Sequence, residues 1–157
     1  MIITTYAQLE DYISGKCEVA LDRTMDRLLD KLEEFIKNDV YEKYTPSFYD
    51  RTLDFQNSWE KTKATIKENM IESEIFQNVS KLSFNSDKFQ HGSGDTWVEN
   101  WNDNPNELAH IINDGVIGHA FGFPPAGLGA RPFWNNFVNF CETNFEEYFR
   151  QELSKII

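Results

Sequence analysis

An aromatic stripe at the end of the chain limits its folding more than any other part of it. From Pro132 onward, Trp134, Phe137, Val138, Cys141, Phe145, Tyr148, Phe149, Leu153 and Ile156 recur at intervals of three and four residues. Only an α-helix gathers residues at that spacing onto one face. Pro132 suits the first helical position, where its missing amide costs nothing. Phe133 and Phe140 widen the stripe sideways. Burying its nine side chains contributes about 1.5–3 kcal/mol each before the entropy of ordering is subtracted, so the rest of the chain has to cover this helix. A stripe this wide has room for two neighbours, one within the subunit and one beyond it.

A second helical pattern lies near the start. Over residues 6–43, Leu21, Met25, Leu28, Leu29, Leu32, Phe35 and Ile36 alternate with Asp22, Asp26, Asp30, Glu33 and Lys37 on the opposite side. One long amphipathic helix fits, with Gly15 as the place where a shorter helix ahead of it would end. Pro46 forbids helix through Thr45. Beyond it, Leu53, Phe55, Asn57 and Trp59 alternate with Thr52, Asp54, Gln56 and Ser58, which predicts a half-buried strand over Arg51–Trp59. Further strands are expected over Ile71–Phe76 and Val79–Phe84.

Residues 85–104 are polar and glycine-punctuated, with Trp97 and Trp101 among them. Asn104-Pro105-Asn106-Glu107 reads as a cap, a first-turn proline and a capping glutamate for a short helix through Leu108, Ile111 and Ile112 that stops at Gly115. Residues 118–130 hold four glycines and two prolines, so regular structure is excluded there. Phe121, Phe123 and Leu128 make that loop too apolar for an idle linker. The expected architecture is α+β: a long N-terminal helix and an aromatic-rich C-terminal helix packed on a small antiparallel β-sheet, residues 1–157 forming one domain.

Charge narrows the function. Twenty-six acids against fifteen bases give a formal charge of −11, and no stretch is a basic patch. Tight nucleic-acid binding rests on clustered Lys and Arg that displace counterions, so this chain is not expected to grip DNA or RNA, although it could surround them. No apolar run approaches the roughly 20 residues of a membrane span, and the N-terminus lacks the pattern of a signal peptide, so a cytosolic site of synthesis and no membrane partner are expected. Cys17 and Cys141 are too few for a disulfide framework and read as reduced packing residues.

The search for chemistry finds little. His110, Asp114 and His119 could be drawn as a metal site, but no fourth ligand accompanies them and surface or packing roles explain them more simply. Gly122, Gly127 and Gly129 lack the Lys-Ser or Lys-Thr ending of a phosphate loop. Glu72 and Glu74 share a predicted strand face, which a solvated sheet surface explains, and Ser58 and Ser73 have no identifiable base. The expectation is therefore a non-enzyme without cofactor or metal.

Two segments resemble a known family. Tyr44-Thr45-Pro46-Ser47-Phe48-Tyr49-Asp50-Arg51-Thr52-Leu53, followed by Asn57-Ser58-Trp59, is similar to the passage from long helix to first strand in the neck or tail-completion proteins of tailed bacteriophages. Ala130-Arg131-Pro132-Phe133-Trp134, preceded by Leu108–Gly115 and Gly118-His119, resembles that family's short helix, glycine turn and Arg-Pro helix start. The stretch from His91 to Asp103 departs from the pattern. The resemblance implies a structural virion protein, made in the host cytoplasm and located in the neck, that forms a homo-oligomeric ring of six. Its implied partners are a head-completion or stopper protein and a tail terminator or tail tube protein, with DNA passing through unheld. It implies structural or interface roles for Tyr44, Pro46, Tyr49, Arg51, Thr52, Trp59, Arg131, Pro132, Phe133 and Trp134, and makes Phe121, Phe123 and Leu128 candidates for an interface loop. Arg131 is read either as an internal strut or as reaching an acidic neighbour across the ring. The rival from another class is an acidic inhibitor or immunity-type protein whose carboxylates oppose a basic target.

Overall fold

The computed structural model of the protein describes residues 2–43, 53–68, 70–82, 108–115 and 129–157. Helix α1 spans Tyr6–Phe35 without a break at Gly15, where a Cβ would meet nothing within 4 Å, so the glycine serves no close approach. Its start is tied by the sequence Thr4-Thr5-x-x-Gln8. The Gln8 amide donates to Thr5 Oγ1 at 3.3 Å, and Gln8 Oε1 accepts from the Thr4 amide at 2.9 Å, which satisfies donors that the first turn leaves open.

The helix continues as a wide π-helical segment over Ile36–Tyr41, with the Glu42 amide reaching back to the Lys37 carbonyl. Leu28, Leu32, Ile36 and Val40 are all buried at a strict spacing of four. In an α-helix that spacing drifts about 40° per step. The wider turn drifts the other way, so Ile36 and Val40 stay on the buried face.

Further on, α2 spans Asp54–Asn57, β1 Trp59–Lys61, β2 Thr65–Lys67, β3 Met70–Glu72 and β4 Ile75–Gln77, followed by a 3₁₀ turn at Val79–Lys81. Helix α3 spans Leu108–Asp114 and α4 Phe133–Ser154. The strands form two two-stranded sheets, β1 with β4 and β2 with β3. The β2–β3 hairpin is antiparallel with Ile66 opposite Ile71. Hydrogen bonds from Thr62 to the Glu74 carbonyl and from Asn78 to the Ser58 carbonyl flank the β1–β4 pair in antiparallel register.

This is the expected α+β class, with three differences in its strands. The strand predicted over Ile71–Phe76 is two, β3 and β4, in separate sheets, because the chain breaks at Ser73-Glu74, where Ser73 Oγ donates to the Thr62 carbonyl and the Glu74 amide to Thr62 Oγ1. The strand predicted over Arg51–Trp59 is helical at Asp54–Asn57 and extended only from Trp59. Leu53 takes a left-handed conformation at φ 61° and is exposed, and its carbonyl accepts from Asn57 to close the turn. The strand predicted over Val79–Phe84 begins as the 3₁₀ turn, because Asn78 Oδ1 accepts from both the amide and the hydroxyl of Ser80. By contrast, the helix expected to stop at Gly115 does so, with that glycine at φ 75°, where an L-residue would be strained.

Backbone contacts gather the chain into two compact units: residues 1–31, 60–76 and 138–157 in the first, 32–59 and 77–137 in the second. In the first, α1 and α4 run antiparallel. Lys16 Nζ donates to the Ile156 carbonyl at 2.8 Å, Arg27 bonds Glu152 and Gln151 at 3.0 Å each and lies 3.8 Å over the Tyr148 ring, and Lys31 sits over Phe140. Asp22 fixes the connection after β1 by accepting from Lys61 at 2.7 Å and from the Ala64 amide at 3.2 Å, and Asp26 also pairs with Lys61. No helix among the described residues is long and apolar enough to cross a membrane.

Candidate functional site

Five of the motif residues, Trp59, Arg131, Pro132, Phe133 and Trp134, come together in the second unit, at the start of α4. Phe133 is fully buried there, with Phe55 edge-on at 5.5 Å and Trp59 at 6.0 Å. Trp59 stacks on Trp134 at 5.2 Å with the rings 19° apart, and Trp134 meets Phe137, which in turn meets Phe35. Phe55, Trp59, Phe133 and Phe137 are therefore one aromatic corner. Edge-to-face and offset pairs of this kind add about 0.5–1.5 kcal/mol each beyond area burial. Two segments more than 70 residues apart, each singled out for its own sequence pattern, thus meet ring against ring.

The central residue differs from the one the stripe suggested. Trp134 is only half-buried, whereas Phe133, read as a sideways extension, is the fully enclosed ring. Pro132 lies just ahead of the helix, and its carbonyl accepts the first helical bond from Asn136, so it holds the cap position. Lacking a side-chain acceptor, Pro132 cannot cap the amides after it. That role falls to Asn113 of α3, a buried residue whose Oδ1 accepts from the amides of Trp134 at 3.1 Å and Asn135 at 3.3 Å. Asn136 adds a 2.7 Å bond to Asp39.

Arg131 turns inward. Its guanidinium donates to the Val40 carbonyl at 3.2 Å, at the end of the π-helical segment, and its amide donates to the Ile112 carbonyl at 3.0 Å. A cation on the last carbonyls of a helix is favoured by the helix dipole. The internal-strut reading describes these bonds. Among the described residues, the buried side-chain polar atom without a hydrogen bond is Trp59 Nε1. An orphan of this kind costs about 1–3 kcal/mol.

Tyr44, Pro46, Tyr49, Arg51 and Thr52, the loop residues Phe121, Phe123 and Leu128, and Trp97, Trp101 and His119 lie outside the described residues. His110 and Asp114 are exposed on α3, and among the described residues no three His, Cys, Asp or Glu side chains gather as metal ligands. Ser58 is buried and donates to the Phe55 carbonyl while accepting from Gln77, which makes it a corner fastener. Ser73 donates to the Thr62 carbonyl.

The shifted titrations belong to structural pairs in the first unit. Lys155 and then Arg27 hold Glu152 below the usual carboxylate range against its burial. The bond from Lys61 lowers Asp22, with burial opposing it and the Ala64 amide helping. Burial works to lower Lys61, but its bonds to Asp22 and Asp26 outweigh that and raise it. Burial alone pushes the Cys141 thiol up to about 11, so it is inert at neutral pH.

No curated protein and no solved structure matches the chain. The YomN protein family, a family of Bacillus phage regions, matches residues 5–155. With nearly the whole sequence inside that match, and with the aromatic corner, the tertiary cap and both long helices falling within it, the chain belongs to the YomN family.

Proposed function

We propose that this phage-region protein is a structural component of the virion neck, a ring of identical subunits that joins the head-completion complex to the tail and lets DNA pass. The observation that carries this reading is the corner itself. The two segments that resemble tail-completion proteins, 44–59 and 130–134, supply Trp59, Phe133 and Trp134 to one aromatic cluster. A likeness in two unrelated loops would be a coincidence of composition, whereas a likeness in two segments that pack together is one structural feature.

Charge supports the same reading. A ring of six would carry roughly −66, and a negative lumen repels phosphate, so DNA slides instead of sticking. The buried polar groups also fit a structural protein. Asn113, Ser58, Glu152 and Thr24 each bond to backbone or to a partner that fastens elements together.

The test is a clean deletion of the gene in an inducible lysogen, followed by electron microscopy of the lysate. The neck reading expects DNA-filled heads and finished tails that fail to join, with joining restored by the gene in trans. Normal particles from the deletion strain, combined with a host-defence phenotype, would favour the acidic-inhibitor alternative.

A further inference from the structure

The π-helical segment that continues α1 is held from outside itself. A turn closed by bonds to the fifth residue is the less favoured helix, found chiefly as short interruptions of α-helices and often at functional positions. Ile36–Tyr41 adopts it here, and the Glu42 amide bonds the Lys37 carbonyl, five residues back, at 2.9 Å. The local sequence does not demand it. No proline or glycine interrupts Ile36-Lys37-Asn38-Asp39-Val40-Tyr41, and an α-turn accommodates each of these residues. Lys37 and Glu42 stand 3.9 Å apart with both side chains exposed, too weak a pair to choose between registers. What selects the wider turn comes from α4 and the residues just before it. Arg131 donates to the Val40 carbonyl at 3.2 Å, Asn136 Nδ2 donates to Asp39 Oδ2 at 2.7 Å, and Val40 is buried in that register.

We infer that Ile36–Tyr41 is a two-register switch, π-helical while Arg131 and Asn136 hold Val40 and Asp39, and α-helical once they let go. Restoring α-helical bonds moves the acceptor of the Glu42 amide from the Lys37 carbonyl to the Asn38 carbonyl. It also turns everything past the segment by about 100° and advances it by about 1.5 Å, one residue of α-helix. Asp39 and Val40 leave their seats in that turn, so the two registers exclude each other. A packed element with two discrete arrangements is what converts a local contact into a change of state. The ends of the device are the two sequence motifs. Arg131 belongs to one, and Tyr44 of the other follows directly on Lys43. The seating of Arg131 thereby sets the register in which the chain leaves α1 ahead of Tyr44. Arg131 is partly exposed, so a competing acceptor can reach it. This inference concerns only residues of the second unit and stands whether or not the neck assignment holds.

The test uses the full chain, isotopically labelled, in solution. Nuclear magnetic resonance couplings transmitted through hydrogen bonds identify the carbonyl that each amide bonds. In the wild type the Glu42 amide should couple to Lys37. In the double variant Arg131→Met with Asn136→Leu the coupling should move to Asn38, while near-ultraviolet circular dichroism still reports the aromatic corner. Arg131→Met alone should keep the wild-type coupling but speed hydrogen exchange of the Val40, Tyr41 and Glu42 amides about tenfold or more, leaving the Phe137 and Phe140 amides of α4 unchanged. Arg131→Lys, which keeps a cationic donor, should restore most of that protection. The inference is overturned if the double variant keeps its Lys37 coupling, or if the three amides of Arg131→Met exchange no faster than in the wild type. It is also overturned if they speed up together with Phe137 and Phe140, which marks general loosening and not a change of register. Should the double variant fail to fold, the exchange rates of Arg131→Met decide between the same outcomes.

Discussion

Replacing Phe133 with alanine should damage this protein more than any other single truncation in α4. The ring is fully buried and meets both Phe55 and Trp59 edge-on, so nothing at the corner can collapse into the space without breaking a second aromatic pair. Phe→Ala at a rigid buried site costs about 3–5 kcal/mol, and the loss of two favourable ring pairs places this one near the top of that range, at about 4–5 kcal/mol. A domain of this size has about 5–15 kcal/mol in all, so the variant should be barely folded. Urea unfolding followed by circular dichroism at 222 nm gives the number. With a slope of about 2 kcal/mol per molar, the midpoint should fall by about 2 M. Trp134→Ala, at the half-buried neighbour, should cost about 2 kcal/mol, since part of that ring is already in water. The reasoning fails if Trp134→Ala proves the more damaging of the two, or if Phe133→Ala costs less than about 1.5 kcal/mol.

Three further outcomes are expected. Asn113→Ala removes the acceptor that caps α4 from a neighbouring helix and should cost about 1–2 kcal/mol, while Asn113→Asp, which keeps the acceptor, should cost much less in the same urea assay. Glu152 and Asp22 are held below their ordinary values, so their stabilisation is present above the usual carboxylate range of about 4 and is lost as pH falls through the lowered values. The melting temperature should therefore drop between pH 5 and 3, and Glu152→Gln, less stable at pH 7, should show a smaller drop over that interval. The Cys141 thiol, raised to about 11, should react with iodoacetamide at pH 8 at least a hundredfold more slowly than a free cysteine peptide.

The long helices were legible in the sequence because their apolar spacing admits only one geometry. Residues 53–59 were not. Phe55 and Trp59 are four apart, a spacing that alternation and a helical turn satisfy equally, and the choice is made by Phe133, a ring 70 and more residues away that both must reach. The cap from Asn113 was invisible for the same reason. Sequence rules look for a cap just before the helix, where Pro132 stands, and the acceptor comes from another helix. Gly115 was readable because its reason is local: the last turn of α3 ends in a left-handed residue. Arg131 shows the limit from the other side. Its position before a proline on an acidic chain left two readings open, a strut within the subunit or a contact beyond it, and its bond to the Val40 carbonyl depends on the end of a π-helical segment. That segment widens to keep Ile36 and Val40 buried, and spacing alone does not reveal it.

Quantitative mass spectrometry of gradient-purified virions, with localisation by cryo-electron microscopy, tests the central proposal most directly. The neck reading expects this chain in every particle at about six copies, as density between head and tail that vanishes in the deletion strain. Its absence from purified virions, with the protein abundant in the same lysate, would contradict a structural role in the particle.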